Sequence, residues 1–448
     1  MEVNTKKSHT NKLVTFINKI NKNEFMLQSI NTMILRIIGV ATLFGFTLFL
    51  TKNYDPKIIG QYDFIRTYLL VLGSICILGT DQSILYFTGL LKSRNKLFKL
   101  KEIYLKMVVL ILLMSVFSLL LLLIIGKGII NSFLNDNNIF GIIIKATGLL
   151  FFYSITLFNT EVLRALERVY IAELYRNTFK YASVIIGAII LFYIHKETYL
   201  VDSFLIGFFF LSLFTSIKIF SIFKKNNHDA DDNDQDEANT YQFILKKSSP
   251  IAISTLAIFL LMSFDVMFLK KYKGNEEVAY YALAVKLMTL LLVVMNSVNI
   301  TISPKIAEQF FSNNRSELIK TMKNSARMIF LISIPTVLFF CLLSSQILGF
   351  FGKNYLVVKE PLIILMVGQG ICSIFGSVQV YLNMTGRQNI FQFILISAVL
   401  LNFILNRTLI PIYGMNGAAF SYVASMFYWN LIATIIIYKK DRIIVFLN

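Results

Sequence analysis

Cysteine, histidine and acidic side chains are scarce in this chain. Three cysteines and three histidines occur in 448 residues, and 25 Asp and Glu stand against 43 Lys and Arg. Cys76, Cys341 and Cys372 fall inside apolar runs without close spacing, which excludes a disulfide framework or a cysteine metal site and leaves three small buried hydrophobes. His9, His195 and His228 lie near a terminus or in connections, and no serine or cysteine sits in a nucleophile motif. No enzymatic constellation emerges, and neither a cofactor nor a metal is expected. The first 25 residues are polar and basic, with no apolar core ahead of a small-residue cleavage site, so no removable signal peptide is read there.

Acidic residues gather in one place only, from His228 to Glu237. A calcium loop starting at Asp229 would need glycine at its sixth position and glutamate at its twelfth, where the chain has Asp234 and Thr240. The block reads instead as a solvated, flexible linker.

Apolar sequence is what the chain has in abundance: 56% of it is hydrophobic and the mean hydropathy is +0.67. A helix needs roughly 20 apolar residues to cross a bilayer core. Candidate spans lie at 30–50, 65–87, 104–125, 139–158, 180–195 and 202–223, and then at 249–269, 279–302, 328–349, 361–382, 389–410 and 416–437. The fifth is the shortest and carries Lys180 at its start. The fold expected is therefore an all-α polytopic membrane protein of about twelve transmembrane helices in two six-helix halves. Its parts are an N-terminal segment 1–29, a first bundle 30–223, a charged linker 224–247, a second bundle 248–438 and a tail 439–448.

The net charge of +18 is compatible with a nucleic-acid partner, but topology already accounts for the basic residues. If the N-terminus is cytoplasmic, that side receives Lys6, Lys7, Lys12, Lys92, Arg94, Arg164, Arg168, Arg176, Lys246, Lys247, Lys305, Arg315, Lys439 and Lys440, among others. The other side receives about a third as many, mainly Lys52, Lys57, Lys127, Lys196, Lys270, Lys271 and Lys273. Both termini are expected in the cytoplasm, with basic loops facing anionic lipid and no nucleic acid bound.

The two halves share a faint pattern. Gly60-Gln61-Tyr62 precedes Arg66 at the second span, and Ala279-Tyr280-Tyr281 precedes Lys286 at the eighth. Each puts tyrosine just before the apolar run and a basic residue four or five positions on, as an internally duplicated transporter with its site between the halves would.

The stretch from Leu401 to Ala419, with Asn402, Leu409-Ile410-Pro411, Tyr413-Gly414 and Gly417-Ala418-Ala419, resembles the junction between the eleventh and twelfth spans of Wzx-type polysaccharide flippases, in the MOP exporter superfamily that also contains MATE transporters. Pro411 and Gly414 would turn the chain at the membrane surface, and Gly417-Ala418-Ala419 would let the next helix pack closely. Leu78-Gly79, Leu163-Arg164-Ala165-Leu166-Glu167-Arg168, Phe264-Asp265 and Ser303-Pro304-Lys305 extend the resemblance along the chain. It implies a flippase that carries a polyprenyl-pyrophosphate-linked oligosaccharide repeat unit from the inner to the outer leaflet of the cytoplasmic membrane, for O-antigen, capsule or exopolysaccharide assembly. Membrane lipids and a polysaccharide polymerase would be its partners. The main alternative is an ion-coupled MATE-like multidrug or cation antiporter.

Charges inside the spans are the candidate site residues, because a charge in hydrocarbon costs at least a few kcal/mol unless it meets a partner or a wet cavity. Arg36, Arg66 and Lys286 are candidates for binding the substrate phosphates, with snorkelling or a structural ion pair as their other uses. Asp265, expected beside Lys286 in a hairpin, reads as half of a buried pair or as a coupling group. Asp81, expected near the inner end of the second span, reads as a cap or a gate contact. Asn296, Asn299, Gln369 and Gln379 add amides that serve sugar hydroxyls or, more often, hydrogen bonds between helices. An antiporter of cationic drugs should line its cavity with carboxylates, and the intramembrane charges here are mostly basic.

Overall fold

In the computed structural model the described residues are 24–94, 96–226 and 240–443, and all the regular structure among them is helical. The N-terminal segment, most of the acidic linker and the last five residues lie outside them.

The first half begins with α1 (Glu24–Asn53). Asp55 caps α2 (Pro56–Ile77), accepting from the Lys57 N–H just ahead of a proline in the first turn, and so starts the second span nine residues earlier than its hydropathy suggests. Leu78 and Gly79, both left-handed, break that span before α3 (Thr80–Ser93). The third crossing is α4 (Leu100–Leu134), bent at Gly126, whose φ of 79° and ψ of 165° suit glycine alone. The fourth is the pair α5 (Ile139–Gly148) and α6 (Leu150–Ala165), bent by 46°. The fifth runs through α7 (Val169–Glu173), a π turn (Leu174–Phe179) and α8 (Lys180–Tyr193), and the sixth is α9 (Leu200–Asn226).

The second half repeats the plan. Its crossings are α10 (Tyr241–Leu261) with α11 (Phe264–Lys273), then α12 (Asn275–Phe311), α13 (Arg315–Leu342) with α14 (Ser344–Phe351), and α15 (Lys359–Cys372) with α16 (Val378–Met384). The last helix, α17 (Gln388–Asp441), is continuous by hydrogen bonding but broken at Gly414, with φ 54° and ψ −129°. Asn402 Nδ2 donates to the Ser421 carbonyl at 3.3 Å. On a straight helix those residues would stand nearly 30 Å apart, so the two arms of α17 fold back as a hairpin.

Among the described residues nine helices are long and apolar enough to cross a membrane, or ten with the α5–α6 pair. That is fewer than the expected twelve, for two reasons. The α17 hairpin counts once although it crosses twice, and the fifth crossing has only 14 residues of regular α-helix after its π turn. The junction behaves as its sequence implied: Ala418 and Ala419 are fully buried, and a Cβ on Gly417 would lie 2.5 Å from the Leu409 carbonyl oxygen.

Both described ends reach one face of the bundle, where Asp441 meets Arg387 and Arg36 shares a cavity with Met384. We call it the terminal face, and its opposite the far face. Between the halves α2 packs along α12, most tightly near the far face, where a Cβ on Gly60 would sit 1.7 Å from the Asn275 carbonyl oxygen. Gly60→Ala is therefore expected to push the halves apart, at a cost of about 1–3 kcal/mol. Disulfide trapping of cysteine pairs across α2 and α12 would report the loss of that contact.

Candidate functional site

The deepest charged group between the halves is Asp63, on α2. It is 1% exposed and accepts a hydrogen bond from Lys286 Nζ of α12 at 2.9 Å. Arg66, one turn further along α2, brings Nε to 3.4 Å from the other oxygen of Asp63, but neither of these two atoms has a hydrogen-bond partner. One carboxylate thus stands between two cations, holding Lys286 by a direct bond and Arg66 only by proximity. Arg66 and Lys286 are the eleventh and twelfth residues of their helices, about 15 Å from the far-face ends. This is deeper than the expected span starts at 65 and 279 imply, because both helices begin before their apolar runs.

Asp265 does not pair with Lys286. Its Oδ2 accepts from the Tyr281 hydroxyl at 2.6 Å, and its Oδ1 is buried without a partner. The geometry of α12 explains the exchange: Tyr281 and Lys286 are five residues apart, about 140° around the helix, so one faces α11 and the other α2. Asp81 is not near the inner end of its span. It lies in the first turn of α3, well inside a crossing that continues to Lys92. Its Oδ2 accepts from Gln82 Nε2 at 3.3 Å, and its Oδ1 has no partner. Two residues on, Ser83 bonds Ser248 of α10 at 2.7 Å and ties the halves together on that flank.

Arg36 lies at a cavity of about 490 Å³ near the terminal face. Gly39 brings α1 close to the π turn, where a Cβ would meet that of Asn177 at 2.5 Å. This fit sets Arg36 Nη2 at 2.8 Å from Glu173 Oε1, while Asn177 donates to Oε2 of the same carboxylate at 2.6 Å. Arg164 and Arg176 join the cavity wall, and both donate to Glu161, at 3.0 and 2.8 Å. Each arginine is engaged through a single terminal nitrogen, and 39–50% of each side chain is exposed. A guanidinium has five N–H donors, so donors remain for a ligand. Lys180 opens α8 four residues after Arg176, with Arg66 also within electrostatic reach, and so extends this cluster toward the deep one. No carboxylate pairs with it among the described residues. The cations therefore form a ladder, from Arg36, Arg164 and Arg176 through Lys180 to Arg66 and Lys286.

Toward the far face the gap between the halves is closed. Lys270 of α11 donates to Asp136, in the connection between α4 and α5, at 2.5 Å. Asn135 Nδ2 donates to the Lys271 carbonyl at 3.2 Å, and Lys271 Nζ stands 4.0 Å from the centre of the Phe133 ring. Burial pushes the Asp136 carboxyl upwards, but the Lys270 ammonium and the Asn138 N–H outweigh it and hold the group below the usual range. A lowered folded pKa stabilises the contact above the unfolded value, near 4, and that stabilisation is lost as pH falls through the folded value. The latch should hold at neutral pH. Asp136→Asn should weaken it at neutral pH, seen as faster labelling of a cysteine at Phe133 by a membrane-impermeant maleimide.

Sequence reasoning placed Arg36, Arg66 and Lys286 among the candidates, and the ladder includes all three. It missed Asp63, Glu161 and Glu173, and took Arg164 and Arg176 only as loop charges. The Asp55-Pro56 cap was the available signal for Asp63, since it moves residues 56–64 from a connection into a helix.

Two family models match the chain: "Polysaccharide biosynthesis protein" over residues 91–310 and MatE over residues 250–408. Among solved structures, a lipid II flippase MurJ in an inward closed conformation matches with a TM-score of 0.69 at 17% identity, covering 92% of this chain and 87% of that one. An inward-facing multidrug resistance MATE family transporter of the MOP superfamily matches with a TM-score of 0.70 at 14% identity, covering 93% and 98%. The fold is that of the MOP superfamily. A further MOP superfamily transporter, from Pyrococcus furiosus, in a structure described as having reverse polarity of its binding pocket, matches with a TM-score of 0.61 at 14% identity over 93% and 95% of the two chains. No curated protein sequence matches. The fold implied by the resemblance at the Leu401–Ala419 junction is thus the fold found, and the chain is an all-α multi-pass membrane protein with that arrangement of helices.

Proposed function

We propose that this protein is a flippase for a polyprenyl-pyrophosphate-linked oligosaccharide, taking it from the inner to the outer leaflet of the cytoplasmic membrane for surface polysaccharide assembly. The carrying observation is the ladder of cations that begins at a cavity on the terminal face and ends at mid-membrane on Arg66 and Lys286. A pyrophosphate is a compact dianion that needs such charges to enter hydrocarbon, and arginine meets phosphate oxygens in pairs. The match over residues 91–310 to a polysaccharide biosynthesis family supports the reading. With both termini cytoplasmic, the terminal face is where an inner-leaflet headgroup arrives, and the arrangement described is inward-open. A polymerase acting on the flipped repeat unit would be the partner downstream.

Within this reading Arg36 receives the phosphates at the mouth, and Arg66 and Lys286 hold them at mid-membrane. Asp265, buried with one oxygen unpartnered, is the proposed coupling group. Asp81, beside the Ser83–Ser248 contact, is proposed to act at the gate. The MATE-like antiporter remains the second reading, supported by the match over residues 250–408. The cavity lining opposes it: three arginines outnumber its one glutamate, a balance of the wrong sign for a cationic drug. Deleting the gene distinguishes the two. The flippase reading expects loss of surface polymer, with the linked repeat unit accumulating on the cytoplasmic leaflet. Intact polymer with heightened sensitivity to cationic dyes would overturn it in favour of the antiporter.

A further inference from the structure

The two walls of the terminal-face cavity differ in chemistry, and the division follows the two halves of the chain. All its arginines, Arg36, Arg164 and Arg176, come from the first half. The second half contributes no charged side chain to the lining and instead presents Asn296 and Asn299 from α12 with Gln379 and Asn383 from α16. The spacings are three residues on α12 and four on α16, so each pair lies along one helix face.

These amides are unusually unoccupied. Asn299 Oδ1 accepts from Ser377 Oγ at 2.6 Å, which fixes that side chain with its amino group free. The side chains of Asn296, Gln379 and Asn383 have no hydrogen-bond partner among the described residues, unlike Asn177 on the opposite wall, which is spent on Glu173. A primary amide offers two donors and an acceptor without charge, which suits the alternating donors and acceptors of sugar hydroxyls and does little for a phosphate. At about 490 Å³ the cavity falls in the usual range for ligand sites.

Resting on the flippase reading, we infer that the halves divide recognition of the headgroup: the arginine wall of the first half takes the pyrophosphate, and the amide wall of the second half reads the first sugars. Selection among glycans then resides in Asn296, Gln379 and Asn383, while the charge ladder accepts any lipid pyrophosphate. A headgroup that engages both walls also bridges the two halves.

The test is binding of two probes to the full-length protein in nanodiscs: undecaprenyl pyrophosphate alone, and undecaprenyl pyrophosphate carrying one N-acetylhexosamine. The combined variant Asn296→Ala, Gln379→Ala, Asn383→Ala should lose about tenfold in affinity for the sugar-bearing probe, as expected for a few neutral hydrogen bonds, and keep wild-type affinity for the bare one. Arg176→Ala should weaken both probes equally. Equal weakening of both probes by the amide variant, or no change in either, would overturn the division of labour while leaving the flippase reading in place. Failure of the wild type to bind either probe would instead remove the flippase reading. Because these three amides hold nothing else in the fold, the variant should elute as the wild type does. The single variant Asn383→Ala, with a smaller loss confined to the sugar-bearing probe, gives an independent measure.

Discussion

Replacing Asp63 with alanine is expected to destabilise the protein by about 3–5 kcal/mol, because it strands Lys286 as an uncompensated buried charge. The lysine is 5% exposed, Asp63 is its one carboxylate partner among the described residues, and Arg66 already repels it. The complementary change, Lys286→Met, should cost a similar amount by leaving the carboxylate nearly alone, with only the unbonded Arg66 nearby. The double variant Asp63→Leu, Lys286→Met should recover most of the loss, since a well-packed apolar pair often replaces a buried ion pair without penalty. Unfolding of the purified protein by graded SDS would give the three values. Additive losses in the double variant would show that the two side chains are not coupled. The double variant is also expected to be inactive in transport despite its recovered stability, which separates the structural use of the pair from its use in handling an anion.

Arg66→Gln is expected to reduce flipping of a fluorescent polyprenyl-pyrophosphate sugar in proteoliposomes by about 10- to 100-fold, the loss typical of a hydrogen bond to a charged group. Its stability should change much less than that of Asp63→Ala. The reason is geometric: Arg66 approaches Asp63 at 3.4 Å without forming a hydrogen bond, and 30% of its side chain is exposed. Arg66→Lys should recover part of the rate by restoring the charge without the paired donors. A flipping rate unchanged in Arg66→Gln would assign Arg66 to the fold and leave Lys286 alone at the deep end of the ladder.

The helices and their order were legible because membrane crossings are written in long apolar runs that little else requires. Their ends were not, because a helix in lipid is held by hydrogen bonds that continue through polar residues. The start of α2 shows the effect most clearly. Hydropathy begins the span at Ile65, and the Asp55 cap begins it at Pro56. The residues between include Asp63, the carboxylate on which the centre of the molecule turns. The same blindness applied to Glu161 and Glu173, which fall between the expected spans 139–158 and 180–195 and so are passed over. Partner choice was illegible for a different reason. Asp265 and Asp63 were both carboxylates within reach of Lys286, and only the rotation of α12 about its axis decides between them.

That helix has a mechanical consequence. Asn275 at one end of α12 is wedged against Gly60, Lys286 is pinned to Asp63, and Asn296 and Asn299, past the helix's middle, face the cavity. From Asn275 to Pro304, which interrupts its hydrogen bonding, it is a beam about 45 Å long. Tilted about a fulcrum at Lys286, the beam lifts one end as it lowers the other. In the proposed flippase the two mouths would then behave as the pans of a balance, one rising as the other falls.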